Sequence, residues 1–502
     1  MGNALRRSRW TWTAIVLAAL AVYSLGMTHE GLWFDEAYSA AMAKHNVAQI
    51  MRLAVSDVHP PLYYLLLRGL RVVLGSSESA LRLPSVFGAV ALVALGAGPI
   101  RRLLGETTSY LYAAVVLFTP AVLIYAHEAR MYTLLMFAVT TSAVYGCLAA
   151  RDNAGRDWVC FGLSSIAAAY LHYYGVIAIF YTHLFLGVCL LARKASALKR
   201  LILAGACVFL AYLPWLLVLV KQTQDVRGGF WIPRANLLFV LGSLCVPFTY
   251  KDFHPSVPWP AILTVCMAVS ITILGVILAL MRRARQESPV ILLAGGVYLS
   301  TMFTAIVVSL ILVPVFFPRY MLACLGLVAV SIATGIGLLP SKELRLATLG
   351  LFILLNLPVT ADVYGQRFNG PMREIARDFR DTVKPGEVIV TADSHAMGPS
   401  VYYFPQARHR FYMNETQAQW ERMYKVFEPR PACHTCLRQA LSSLTSFWLV
   451  ESNRWQSTRE AQTLREELEV WEKVVESAEY SYPYSSLAFT ISRYEAKAGK
   501  TQ

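Results

Sequence analysis

Asp35 and Glu36 stand side by side in the stretch WFDEAYSA, shortly after a long apolar run ends at Met27. Two adjacent carboxylates among Trp33, Phe34 and Tyr38 have two readings. One of them could take the proton from a hydroxyl or amine as it attacks an electrophile, or both could be ordinary solvated charge. Other clusters bear on the choice. Asp57, His59, Pro60 and Pro61 occur in SDVHPPLYYLLL; His127, Glu128, Arg130 and Tyr132 in YAHEARMYTLL; His172 and Tyr173 in LHYYG; Arg319 and Tyr320 in FFPRYML. Each has an ordinary structural reading too, as a turn residue, a corner polar group or an interfacial anchor. Arg130 and Arg319 could hold a phosphate through charge-assisted bonds, and Trp33, Tyr38 and Tyr173 could stack on a sugar ring. A sugar carried on a lipid phosphate would use all of these parts at once.

Those residues must be positioned by a membrane protein. The chain has 502 residues, is 56% hydrophobic and only 15% charged, and its mean hydropathy is +0.48. Soluble domains carry about 25% charged residues. Apolar stretches near the length of a bilayer-spanning helix recur along the sequence. The net charge of +14 does not imply a nucleic-acid partner, because residues 361–502 hold 18 Lys/Arg against 18 Asp/Glu. The excess lies in short loops such as Arg101-Arg102, Arg193-Lys194 and Arg282-Arg283. Lys and Arg mark the cytoplasmic side of membrane proteins.

Alternating orientation predicts about eleven spans, near 10–27, 80–100, 107–126, 131–150, 157–171, 175–192, 201–220, 259–281, 289–311, 320–340 and 345–361. The first is read as an uncleaved helix, since no small-x-small site follows it. The amino terminus is then cytoplasmic, and the corners holding Arg130, His172 and Arg319 share the outer face. Residues 1–361 form the transmembrane domain with an outer loop over 28–79. That loop contains two short amphipathic helices, within 40–55 and 61–75, suited to lie in the interface plane. A second outer loop, 221–258, carries Gly228, Gly229, Trp231 and Pro255.

Residues 362–502 have ordinary composition and form a small α/β domain. EVIVTAD, RFYM, SFWLVES and LAFTISRY read as strands, and the stretches near 370–382 and 457–478 as helices. Cys433 and Cys436 could form a disulfide in an oxidising compartment or stay free thiols, and a zinc knuckle would need a second ligand pair, which is not found at suitable spacing. Asp35, Glu36, Glu128 and the histidines could supply ligands to a divalent cation, yet no compact ligand motif singles one out.

FDE in the first outer loop, HPPLYYLLL after it, EARMYTLL and FPRYML together resemble the bacterial branch of the protein mannosyltransferase superfamily. This is glycosyltransferase family 39, of the GT-C fold, to which lipid A aminoarabinose transferases are similar. The resemblance runs over roughly residues 10–340. It implies an α-helical polytopic GT-C protein with a C-terminal α/β periplasmic domain, in a bacterial inner membrane. It also implies transfer of a sugar from a polyprenyl-phosphate donor, at the periplasmic face and with inversion, and leaves the acceptor open among glycolipid, glycan and protein. By motif, Asp35 inherits the general-base role and Glu36 a supporting one. Arg130, Arg319 and Tyr320 fall to the donor phosphate, and His59, Pro60, His127, Glu128, Tyr132, His172 and Tyr173 to the substrate cavity. No insertion is large enough for the β-trefoil domain of the eukaryotic enzymes, so a peptide acceptor is not implied. The rival reading is a transporter or flippase of lipid-linked sugars, which predicts interrupted helices in matching halves.

Overall fold

The structure is a computed structural model that describes the chain except at residues 1, 194–195, 226–231, 250–257, 283–286, 414–420, 436, 442, 457–458, 483–484, 486 and 498–502. Gly228, Gly229, Trp231 and Pro255 of the second outer loop, and the Cys436 half of the cysteine pair, lie outside the described residues. The chain forms two compact units. One comprises Met1–Met27, Val58–Tyr63 and Arg82–Tyr364; the other comprises Thr28–Asp57, Tyr64–Leu81 and Gly365–Gln502.

The helices up to the end of the membrane part run α1 (Gly2–Ser24), α2 (Phe34–Met42), α3 (Val47–Val55), α4 (Leu62–Leu74), α5 (Glu78–Ala94), α6 (Pro99–Leu117), α7 (Pro120–Ala126) and α8 (Tyr132–Asp152). They continue with α9 (Gly155–Leu171), α10 (Tyr173–Ala192), α11 (Leu198–Asp225), α12 (Leu237–Ser243), α13 (Trp259–Met281), α14 (Glu287–Ile311), α15 (Leu325–Gly337) and α16 (Lys342–Gly365). Among the described residues eight helices are long and apolar enough to cross a membrane, or nine if α6 and α7 count as one span bent by 60°. All eleven expected spans fall on helices. The two outside that set are α1 and α9, and α9 is only 17 residues long.

Backbone groups in hydrocarbon have no water to bond, which leaves a helix as the economical way across. Large apolar side chains such as Phe180, Val188, Leu203, Leu217 and Leu299 stay on the outer surface of this unit, where lipid is the natural solvent. At one end of the helices the basic loops knit together. Arg102 grips Asp157 with two bonds of 2.9 and 3.0 Å, and Arg282 donates to the Leu338 carbonyl at 2.8 Å.

The first outer loop departs from its expected form. FDEAYSAAM is itself a helix, and the segment 40–55 is broken into α2 and α3. Asn46 causes the break: its side chain accepts from the Gln49 N–H while Gln49 returns the bond, a reciprocal cap that starts a new helix.

The second unit contains a six-stranded sheet in the order β3-β2-β1-β4-β6-β5, with β1 (Val388–Thr391), β2 (Arg408–Tyr412), β3 (Ala432–His434), β4 (Ser446–Ser452), β5 (Trp471–Tyr480) and β6 (Phe489–Ala496). The first four strands are parallel, and β6 and β5 close one edge antiparallel. Helices α17 (Met372–Asp378) and α18 (Ser394–Tyr403) bury Met372, Ile375 and Ala396 on one face, against Ile389, Trp448 and Val450. Ala440, Ala461 and Leu464 cover the other face, against Val388, Val390 and Leu449. The expected helix over 457–478 ends early. Arg459–Leu468 is helical, but 471–480 pairs with β6 as a charged edge strand, a pattern that discourages pairing with other chains.

Two buried groups in this unit titrate in opposite senses. Burial holds His409 down at about 4, against the opposing pull of the Phe404 carbonyl 3.0 Å from its Nε2. Burial also pushes Glu451 up to about 7; Arg465 opposes that rise, Asp393 adds to it and Lys473 opposes it. Between about pH 4 and 6.5 the unfolded chain binds the extra proton at His409, so this group makes stability fall as pH falls. Between about pH 4.5 and 7 the folded chain holds the extra proton at Glu451, so that group makes stability fall as pH rises. Removing one should expose the slope of the other. Denaturant midpoints should drop more steeply than in the parent on acidification from about pH 6.5 to 5 in Glu451→Gln, and less steeply in His409→Gln.

Candidate active site

In the membrane unit the three corners expected to share one face converge. Arg130 and Arg319 are only 2% and 8% exposed, and His59 and His172 are buried with them. The Arg130 guanidinium meets His59 Nε2 at 3.2 Å. Arg130 is held in place through its backbone: the Ser85 hydroxyl on α5 donates to its carbonyl at 2.8 Å, and Thr133 donates back to Ser85 at 2.7 Å. The His59 and His172 rings lie 5.5 Å apart, and Tyr132 is 6.2 Å from His172. Pro60 and Glu128 are also buried.

Arg319 and Tyr320 fall on a 3-10 stretch, Pro318–Cys324, that leads into α15. The Ser309 hydroxyl at the end of α14 accepts from the Val315 and Phe316 N–H groups at 2.8 and 2.5 Å, fixing the approach. The guanidinium carbon of Arg319 lies 4.9 Å from the Phe317 ring centre, and the Tyr320 ring lies 4.7 Å from that of His172. Cation–π contact of this kind steadies a guanidinium without neutralising it.

His172 sits in the turn between α9 and α10 and caps α10, its Nδ1 accepting from the Tyr174 N–H at 3.1 Å. A neutral ring bonded this way carries its proton on Nε2. Burial, then His59 and the charges of Arg130 and Arg319, hold its pKa well below the ordinary histidine value. The cluster therefore offers two guanidinium groups and a neutral imidazole donor, a set that suits an anion.

Two expected cavity residues have partners beyond this cluster. The His127 ring faces Tyr364 at 6.2 Å. The Tyr173 hydroxyl donates to Gln222 and accepts from the Trp215 indole N–H at 3.3 Å. Tyr174 takes the place beside His172, with its ring 5.4 Å from Tyr320 and its hydroxyl donating to the Val315 carbonyl at 2.9 Å. Sequence reading passed over Tyr174, Ser85 and Phe317. Helical phase was the available signal for Tyr174, since adjacent residues of a helix point about 100° apart.

In the second unit Asp35 and Glu36 occupy the first turn of α2, where negative charge is favoured by the helix dipole. They are not equivalent. Glu36 is wholly buried, whereas Asp35 is half-buried. Phe34 anchors the helix, its ring 6.5 Å from Tyr424 and 6.2 Å from Phe427. Helix α18 lies against α2 at Gly398, where a Cβ would come within 2.9 Å of the Phe34 ring. Asp57 accepts from the Tyr64 hydroxyl at 2.8 Å, and the Tyr64 ring packs edge-on to Tyr38. Among the described residues no group of three or more His, Cys, Asp or Glu side chains could hold a metal ion.

The two duties of His172 can be separated. His172→Ala removes the cap and should cost about 1 kcal/mol, whereas His172→Asn keeps a capping oxygen and should stay within a few tenths of the parent. Thermal melting of the detergent-solubilised protein checks the difference.

Comparison with known proteins bears on both units. Residues 58–218 match the sequence profile of the dolichyl-phosphate-mannose-protein mannosyltransferase family. No curated protein sequence matches the chain. Among solved structures, ArnT from Cupriavidus metallidurans in the apo state superposes with a TM-score of 0.64 at 13% identity, covering 97% of this chain and 98% of that one. The same protein bound to undecaprenyl phosphate gives 0.60 at 13% identity, covering 96% and 98%. The chain is thus a multi-span membrane protein of the GT-C fold, mannosyltransferase-like over residues 58–218.

Proposed function

We propose that the protein is an inverting glycosyltransferase that moves a sugar from a polyprenyl-phosphate donor to a hydroxyl- or amine-bearing acceptor on the periplasmic side of a bacterial inner membrane. The observation that carries this reading is the burial of Arg130 and Arg319 with the neutral imidazole of His172, an anion-adapted cluster in a unit made of membrane spans. A polyprenyl phosphate suits it, with its head at the guanidinium groups and its tail in hydrocarbon. The undecaprenyl phosphate held by the similarly folded ArnT is a molecule of that class.

In this mechanism the Asp35 carboxylate takes the proton of the acceptor as its oxygen or nitrogen attacks the anomeric carbon. The bond from that carbon to the phosphate oxygen breaks, its electron pair leaves with the polyprenyl phosphate, and the configuration inverts. Arg130 and Arg319 stabilise the charge that grows on the leaving phosphate, and His172 donates through Nε2. The half-burial of Asp35 suits contact with an acceptor, whereas the full burial of Glu36 suits a supporting role.

One observation favours a second reading, a transporter of lipid-linked sugars. The 60° break between α6 and α7 and the 3-10 stretch at Pro318–Cys324 are the kind of interruption that transport sites use. A panel of polyprenyl-phosphate sugars supplied to the reconstituted protein decides between them. Transfer predicts donor-dependent release of free polyprenyl phosphate, and transport predicts movement of intact donor across the bilayer.

Asp35→Asn should leave the protein folded and lower transfer by about 10²–10⁴-fold. Undiminished transfer by that variant would sink the assignment. Arg319→Ala should weaken donor binding by about ten- to hundredfold, as loss of a charge-assisted bond does. Titration of the parent and variant with undecaprenyl phosphate measures it.

A further inference from the structure

The chain between the first span and α2 is clamped within the second unit by groups that follow the last span in sequence. The Arg373 guanidinium, on α17, donates to the Thr28 carbonyl at 2.8 Å, the His29 carbonyl at 2.7 Å and the Glu30 carbonyl at 3.4 Å. It also pairs with Glu78 at 2.9 Å. The Glu30 carboxylate accepts in turn from the Phe368 and Asn369 N–H groups at 2.8 and 3.1 Å, and the Asn369 side chain donates to the Gly31 carbonyl at 2.9 Å. The Leu32 N–H donates to the Tyr403 hydroxyl at 2.8 Å, and that hydroxyl donates to Glu78. A Cβ on Gly31 would meet Arg373 at 3.1 Å and Tyr403 at 3.2 Å, so a larger residue there would make the clamp give by a few tenths of an ångström.

Five consecutive residues, 28 to 32, thus have a backbone group or a side chain held from outside the loop, and Asp35 follows three residues later. One guanidinium bonding three successive carbonyls fixes a backbone trace, because its donors form a rigid planar fork. This is more than burial of α2 requires, since Phe34 and Gly398 already hold the helix face. We propose that Arg373 is a positioning residue for the transfer reaction: it sets the entry of α2, and thereby the placement of the Asp35 carboxylate. The inference rests on the general-base reading of Asp35. It gives the segment that follows the last span a part in the chemistry, because the residue that fixes the base lies there, on α17. A misplacement of about 1 Å at a reacting group can cost about 10²-fold in rate.

The test compares the full-length parent, Arg373→Ala, Asp35→Asn and the double variant, reconstituted with the undecaprenyl-phosphate sugar that the parent consumes. R373A should lower kcat by about ten- to hundredfold while the donor KM stays within about twofold. Because Arg373 acts through Asp35, the residual rate of D35N should fall no further when R373A is added. Arg373→Lys, a point charge without the planar fork, should recover only part of kcat. Hydrogen exchange of the full-length R373A protein should speed up at amides 29–36 and not at Val388–Thr391. Where R373A does not fold, Glu78→Gln carries the same comparison, since it removes the anion that orients the guanidinium. Parent-like kcat, a further loss in the D35N background, or unchanged exchange at 29–36 would each overturn the proposal. A fully active D35N would instead bring down the general-base reading, while the exchange measurement would still report whether Arg373 orders the segment.

Discussion

Ionisable groups beside hydrocarbon are tolerated only where hydrogen bonds, counter-charge or polarisable faces surround them. Arg130 and Arg319 impose that condition on the membrane unit. His59, ahead of α4, meets the Arg130 guanidinium; Phe317, ahead of the 3-10 stretch, lies under that of Arg319; and His172, in the turn before α10, packs against Tyr320. Ser85 serves the same end from α5, bonding a carbonyl rather than a charge. An arrangement in which three separate helix ends depend on two buried charges tolerates little drift of any one of them.

Arginine also has a second duty throughout the chain. The last carbonyls of a helix lack partners within it, and guanidinium groups from elsewhere repeatedly supply them. Arg200 bonds the Asn153 carbonyl where α8 ends, Arg282 the Leu338 carbonyl where α15 ends, and Arg345 the neighbouring Leu339. Arg82, 1% exposed, bonds the Met27 carbonyl beyond α1 at 2.6 Å. Basic residues that mark topology in the sequence are thus also the closing bonds of helices to which they do not belong.

Hydropathy and loop charge made the membrane architecture legible, because both act along contiguous sequence. Every expected span lies on a helix, and the strands around Val388, Phe411, Trp448 and Ile491 stand where alternation put them. The misses have a common cause: they depend on groups distant in sequence. β5 reads as a continuation of a charged helix, because only its pairing with β6 makes it a strand. Tyr173 and Tyr174 are indistinguishable until the phase of α10 is fixed by the His172 cap. The motifs named most of the polar cluster, yet Arg373 stands in the unremarkable charge pattern MREIARD. Nothing local reveals that its partners are residues 28 to 30 and Glu78.

The strand order of the second unit has a consequence for how it comes apart. β1 lies inside the sheet, with β2 and β3 on one side and β4, β6 and β5 on the other. The chain leaves β1 through Asp393, which caps α18 and accepts from the Ser452 N–H. Edge strands fray first, and interior strands open only with global unfolding. The helix that backs α2 therefore grows from the part of the sheet that yields last. Breathing at the β3 and β5 margins can proceed, and sequence there can diverge, while the acids of the first loop keep a rigid foundation.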